Sequence, residues 1–224
     1  MAKARGGFLR ISAIENLVVA VLKGINGIVG NYGIAIIIVT IIVRLLMFPL
    51  TLKQEKSMKK MRELQPELDK IKEKYKDNPQ EYQKRTAEIY KENNVNPLSG
   101  CLPILIQMPI FIALYYAFSG DAIPNDATFL WFHLKHPDAL FKIGTFTFNL
   151  LPVLNTLVTY TQQKMMTGKT KGQETNNQMQ SMLYTMPIMM LFIFYNMPSG
   201  VTLYYLVSGV LSLVQQYFIM KGRD

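Results

Sequence analysis

The sequence is poor in the residues that build secreted scaffolds and soluble enzymes. Cys101 is the only cysteine among 224 residues, which excludes a domain held together by disulfides. Only 17% of the residues are charged, and 21 of those 39 lie between residues 53 and 97, so the rest of the chain is more apolar than a soluble core requires. A disordered chain is excluded because 50% of the residues are hydrophobic. These shortages favour a multi-pass membrane protein.

Long apolar runs take the place of the missing charge. Residues 33–52 carry one charged side chain, Arg44, and a helix of that length measures about 30 Å, the thickness of the hydrocarbon core. We predict an all-α polytopic membrane protein with five transmembrane helices, an N-terminal interfacial amphipathic helix and a cytoplasmic helical hairpin. The predicted segments are the amphipathic helix 1–30, span 1 at 31–52, the hairpin 53–97, span 2 at 98–118, a periplasmic loop 119–148, span 3 at 149–167, a cytoplasmic loop 168–178, span 4 at 179–197, span 5 at 199–220 and a cytoplasmic tail 221–224.

Lysine and arginine set the predicted orientation. Seventeen of them lie in the hairpin, the loop around 164–171 and the tail, against six on the opposite side. Positive residues favour the cytoplasm, which predicts a cytoplasmic C-terminus and a periplasmic N-terminus. The net charge of +9 is then explained by topology and by binding to anionic lipids or RNA, with no DNA partner expected.

The N-terminal segment has helical periodicity and is interrupted by polar residues. Its apolar residues recur every three or four positions, at Ile11, Ile14, Val18, Val21, Ile25 and Ile28, as in a helix lying in the membrane interface. Glu15, Asn16 and Lys23 break the apolar block, so it does not match a secretory signal. Since a chain that begins outside needs an export signal or a preceding span, we expect this one to be part of a longer protein.

The hairpin 53–97 is predicted from two thin apolar stripes. Pro66 predicts a kink or a restart in the first helix, and Asn78 followed by Pro79 and Glu81 predicts the N-cap of the second. The stripes are too narrow to bury against a large core, so we expect a mobile element.

Arg44 has no acidic partner within the predicted spans. It lies about 12 Å from the cytoplasmic end of its span, where an arginine is costly. Because every Asp and Glu falls outside the spans, water in a cavity is the remaining way to keep it charged. The other candidate groove residues are Thr40, Gln107, Asn155, Thr159, Gln162, Ser212 and Gln215, with Ser208 in the same row as Ser212.

The depth of these polar residues predicts a groove. The outer halves 33–39, 110–118 and 187–195 are almost empty of strongly hydrogen-bonding groups. A positively charged groove that opens to the cytoplasm and is closed outside fits this pattern. Each polar row alone has an alternative, since Ser, Thr and Asn also join helices together.

The sequence lacks the residues that most chemical activities require. A coupled transporter needs an intramembrane acid or histidine, and an ATPase needs a P-loop. His133, His136 and Asp138 could be drawn as a metal site, but neighbouring exposed loop residues explain them better. We therefore expect no enzyme activity and no cofactor or metal, and predict a passive site that binds another polypeptide.

A set of distinctive blocks follows in order along the sequence: Val43–Leu50, Leu64–Leu68, Lys72–Tyr75, Asn96–Pro103, Gln107–Phe111 and Asn196–Gly200. Together these blocks resemble the YidC/Oxa/Albino family of membrane protein insertases, in its bacterial form without the large periplasmic domain. The resemblance implies insertion of nascent membrane proteins into the bacterial plasma (inner) membrane, alone or with the Sec translocon. The alternative is a folding chaperone or assembly subunit without translocation activity.

The resemblance also implies where substrates and partners bind. The substrate would leave along spans 2 and 4, where Phe111, Met190 and Phe194 would contact its hydrophobic segment, although lipid-facing packing explains these residues equally well. The hairpin would receive the substrate. Lys169, Lys171 and the tail would face the ribosome, and the shortness of the tail predicts weak binding there.

Overall fold

Seven helices and two short strand pairs make up the described part of the computed structural model, which covers residues 12–96, 102–144, 146–167 and 177–221. The elements are α1 (Ser12–Val29), α2 (Tyr32–Lys74), α3 (Pro79–Glu92), α4 (Leu102–Ser119), β1 (Thr128–Phe129), β2 (Phe132–His133), β3 (Phe141–Ile143), β4 (Phe146–Phe148), α5 (Leu150–Thr167), α6 (Asn177–Tyr195) and α7 (Ser199–Lys221). The predicted helical fold class is confirmed at this level. Cys101, Lys169, Lys171 and Arg223 lie outside the described residues.

One uninterrupted helix, α2, joins predicted span 1 to the first arm of the predicted hairpin. The Asn31 side chain caps its start by accepting from the N–H groups of Gly33 (2.8 Å) and Ile34 (3.2 Å). The helix continues through Pro49 and Pro66, so the restart considered at Pro66 does not occur.

Membrane-spanning length is clearest in α2. Within the described ranges, Tyr32–Met61 is the one helix both long and apolar enough to cross a bilayer, and Leu105–Ser119 and Tyr184–Tyr195 are shorter apolar stretches. The count of five spans stays a prediction.

The predicted start of α3 is confirmed. Asn78 Oδ1 accepts from the Glu81 N–H (3.2 Å) and Pro79 occupies the first turn. The Glu81 carboxylate pairs with Arg85 (3.1 Å), one turn further along the helix. Leu68 on α2 and Ile89 on α3 are buried, so a small apolar contact holds the two arms together.

The helix α7 lies at the centre of the bundle. It packs against α2, α4 and α5, while α6 packs on α5 and α1 lies against α2 and α4. Large apolar side chains also point outward, such as Leu46 (75% exposed), Phe192 (74%) and Phe218 (65%). An apolar exterior of this kind is typical of a surface that faces lipid.

The segment 119–148, predicted only as a loop, contains both strand pairs. Phe129 pairs with Phe132 in the first and Phe141 with Phe148 in the second. Strands of two or three residues are too short for an alternating pattern to reveal, which is why the sequence did not indicate them. Ser199, at the start of α7, fixes this segment to the bundle because its Oγ donates to the carbonyls of His133 (2.6 Å) and His136 (2.7 Å).

Close packing of α5 on α7 depends on Gly209. A Cβ atom at this position would lie 2.7 Å from Cγ1 of Val158. We expect Gly209→Val to lower the free energy of unfolding by about 1–3 kcal/mol, because the helices must separate. Thermal unfolding in detergent measures the change. Gly27→Ala is the control, since a Cβ on Gly27 meets nothing within 4 Å, and equal unfolding temperatures for the two variants would contradict the prediction.

Candidate functional site: a polar network around Arg44

Arg44 bridges α2 and α7. Its Nε donates to Oγ of Ser208 at 2.8 Å, and the arginine side chain is partly buried. Tyr204 and Tyr205 lie on α7 within about one turn of Ser208. The cation is therefore held by a hydroxyl group in a largely apolar bundle.

The network reaches α4 through Gln107. Its Nε2 donates to the Tyr204 hydroxyl at 3.1 Å, and Tyr204 is only 2% exposed. Arg44, Ser208, Tyr204 and Gln107 thus join three helices by polar contacts. Tyr204 was not among the predicted groove residues. Its spacing of four residues from Ser208 places both on one face of α7, and that spacing was the available signal.

No carboxylate forms an ion pair with Arg44 in the described part of the chain. The ion pairs recorded there include Lys59 with Glu63 and Arg85 with both Glu81 and Glu88, which lie in the arms of the hairpin. The hydroxyls around Arg44 are neutral at physiological pH. Among the described residues, the positive charge of the guanidinium is therefore not balanced by a carboxylate.

Three predicted groove residues instead hold helices together or bond within their own helix. Thr40 is fully buried and its hydroxyl donates to the Ile36 carbonyl (2.6 Å). Asn155 Nδ2 donates to the Thr202 carbonyl (3.0 Å), and Gln162 Nε2 donates to the Gly209 carbonyl (2.8 Å), both from α5 to α7. Their polar groups are used in these contacts, and a lining role for them in a groove stays a prediction. Thr159, between them on α5, is partly buried.

Ser212 and Gln215 continue the polar face of α7 beyond Ser208. Both are partly buried. The Gln215 Oε1 atom is inaccessible to solvent and has no hydrogen-bond partner in the described part of the chain. A buried acceptor of this kind requires water or a ligand group, so the α7 face is suited to polar contents.

The three predicted hydrophobic contacts are packed against the core. The Phe194 ring is 3% exposed and lies 4.7 Å from Tyr205 and 6.3 Å from Phe111, measured between ring centroids, and Met190 packs against the same cluster. Phe194 is therefore buried in this arrangement, and contact of these three side chains with a substrate stays a prediction. Exposed apolar residues of α4 and α6 include Leu105, Met108, Ile188, Met189, Phe192 and Ile193.

His133 and His136 contact the start of α7 through their backbone carbonyls. The rings of His133 and His136 lie 6.5 Å apart, whereas Asp138 accepts from the N–H groups of Leu150 and Leu151 at the start of α5. Within the described ranges, no group of three or more potential ligands could hold a metal ion. A cavity of about 430 Å³ lies on α3, and none of the predicted groove residues lines it.

Comparison with known proteins identifies the family of this chain. The family model described as 60Kd inner membrane protein matches residues 24–224. The chain belongs to this family. It is 51% identical over 193 residues to the membrane protein insertase YidC of Fusobacterium nucleatum, an alignment that covers 86% of this chain and 88% of the relative. The insertase YidC of Chlorobium phaeovibrioides is 43% identical over 213 residues, covering 92% of this chain and 36% of the relative.

A solved structure has the same fold. A crystal structure of an active YidC insertase with its first transmembrane domain resolved matches with a TM-score of 0.68 at 29% identity. The match covers 95% of this chain and 48% of the other. This chain therefore spans about half of that protein and about a third of the Chlorobium relative, but most of the Fusobacterium one. The resemblance to membrane protein insertases is confirmed.

Proposed function

We propose that this chain inserts nascent membrane proteins into the bacterial plasma (inner) membrane, alone or with the Sec translocon, and that the network around Arg44 receives the polar end of the substrate. The main support for this proposal is the position of the Arg44 guanidinium. It lies between α2 and α7 and donates a hydrogen bond to the neutral hydroxyl of Ser208. The family's relatives are named insertases, which does not favour an assembly subunit without translocation activity.

During insertion, a hydrophilic tail of the substrate has to cross the hydrocarbon core of the membrane. Such a tail cannot cross about 30 Å of hydrocarbon, because its backbone groups would lose their hydrogen bonds. A polar site at mid-depth shortens the apolar part of the path to roughly half that. Arg44 attracts acidic residues more strongly there than in bulk water, and the membrane potential then favours their outward movement.

The unused donors of Arg44 suit a carboxylate. Nε donates to Ser208, and no acceptor within the described ranges takes the N–H groups of the two terminal nitrogens. Those groups form the planar fork that binds carboxylates in two parallel hydrogen bonds. Gln107, Ser212 and Gln215 add neutral polar contacts, so the site binds an acidic tail without demanding a particular sequence.

The distribution of basic residues also bears on the proposed topology and partners. The positive-inside distribution supports five spans, a periplasmic N-terminus, a cytoplasmic C-terminus and a cytoplasmic hairpin between α2 and α3. The charged hairpin receives the substrate, and the basic cytoplasmic residues meet ribosomal RNA and anionic lipids. No enzyme chemistry is required, since partitioning of the substrate's apolar segment into lipid drives the process.

Photo-crosslinking of a stalled nascent chain tests the site. A photoreactive residue at position 107, 212 or 215 is expected to capture the acidic tail of a membrane-protein substrate. The matched control is position 46 on α2, two residues from Arg44, where Leu46 is 75% exposed toward the outside of the bundle. Equal capture of the tail at position 46 and at the three site positions would contradict the proposal.

A further inference from the structure

The turn between β1 and β2 displays two apolar side chains on the outside of the protein. Leu130 is 72% exposed and Trp131 is 47% exposed. Leu130 has φ +52°, a backbone conformation that leucine rarely adopts and that glycine or asparagine usually fills in two-residue hairpin turns. An exposed leucine and tryptophan at a place that favours small polar residues indicate contact with a nonaqueous surface.

The base of this hairpin is fixed in the bundle. Phe132 is 2% exposed, and the Phe129 ring packs so closely on α2 that a Cβ atom on Gly33 would collide with it. The Leu134 N–H donates to the Ala127 carbonyl at 2.9 Å, which closes the hairpin below its strands. The turn is therefore held at a defined place relative to α2.

That place is the start of the long apolar stretch of α2, Tyr32–Met61. Asn31, the N-cap of α2, donates through Nδ2 to the Thr128 carbonyl at 3.3 Å. Ile28, two residues before the Gly30–Asn31 link, is 86% exposed at the end of α1. The hairpin is thus attached at the level where the apolar helix begins, and tryptophan is enriched at that level in membrane proteins.

We propose that Leu130 and Trp131 insert into the boundary between headgroups and acyl chains of the outer leaflet and anchor the β1–β2 hairpin to lipid. The occupant is the lipid surface, because the hairpin is bonded to Asn31, and the apolar side chains of Ile28 (86%) and Ile34 (41%) on either side of Asn31 are also exposed. Ser199 bonds to the carbonyls of His133 and His136, so the anchor also sets the depth of the turn between α6 and α7. The proposal rests on the proposed orientation and not on insertase activity.

Trp131 is the only tryptophan of the chain, so its fluorescence reports this turn alone. The full chain is reconstituted in phosphatidylethanolamine–phosphatidylglycerol vesicles whose acyl chains are brominated either near the headgroup or near the terminal methyl. We expect roughly twofold stronger quenching by the shallow bromines than by the deep ones, a blue-shifted emission and weak quenching by aqueous iodide. Leu130→Gly keeps a residue suited to positive φ and removes the apolar side chain, so the lipid quenching should fall and the iodide quenching should rise.

Each other outcome overturns the proposal. Strong iodide quenching without lipid quenching means that the turn lies in water, and stronger quenching by deep bromines means that it lies within the hydrocarbon. Absence of both kinds of quenching means that protein covers the turn, either a second copy or another partner. A substrate-insertion assay on the same vesicles is independent of these results, so an insertase with an unanchored turn is recognised as such.

Discussion

Arg44→Ala is expected to abolish Sec-independent insertion of substrates with short acidic tails, whereas Arg44→Lys retains most of it. The alanine removes the positive charge from the mid-depth site, and an acidic tail then has no partner to offset its loss of water. Lysine keeps the charge and loses only the forked geometry and the bond to Ser208. Protease protection of the translocated tail, in vesicles containing the purified chain and no translocon, measures the effect.

Two controls separate the charge from the fold. Ser208→Ala removes the hydrogen-bond partner of Arg44 and leaves the charge, so it should reduce insertion much less than Arg44→Ala. A substrate whose tail acids are replaced by glutamine should depend less on Arg44. Equal insertion of acidic tails by wild type and Arg44→Ala would contradict the role given to the guanidinium and favour a chaperone without translocation activity.

The helices followed from the apolar runs and their boundaries. The segments 149–167 and 199–220 differ by one residue at an end from α5 (Leu150–Thr167) and α7 (Ser199–Lys221). Pro198 lies in the turn between predicted spans 4 and 5, and proline typically interrupts a helix. The Asn78 cap was identified because capping depends on residues within one turn, which the sequence contains in full.

Contacts between helices could not be predicted in the same way. Polar spacing placed Asn155 and Gln162 on one face of α5, but spacing cannot distinguish a face that meets carbonyls of α7 from one that lines a groove. The polar role of Tyr204 could not be predicted, because tyrosine is common in packed cores. Only its hydrogen bond with Gln107 gives it that role. The unbroken course of α2 through Pro66 likewise depends on surroundings that the local sequence does not contain.

Asp138→Ala is expected to lower the free energy of unfolding by about 3 kcal/mol, a large effect for one side chain of the segment 119–148. The carboxylate is 3% exposed, and one oxygen accepts from Leu150 N–H at 2.6 Å and Leu151 N–H at 3.0 Å. These are donors of the first turn of α5, where a negative charge also interacts favourably with the helix dipole. Alanine would leave both N–H groups buried without an acceptor.

Graded variants distinguish the charge from the cap. Asp138→Asn retains an acceptor oxygen and loses the charge, so its loss should be about half that of Asp138→Ala. Asp126→Ala, at an exposed position of the same segment, should change stability by less than about 0.5 kcal/mol. Thermal unfolding followed by circular dichroism in nanodiscs measures all three, and hydrogen exchange at the Leu150 and Leu151 amides locates the loss. If the Asp138→Ala and Asp126→Ala variants unfold at the same temperature and the two amides stay protected, the Asp138 carboxylate does not hold α5 to the segment 119–148.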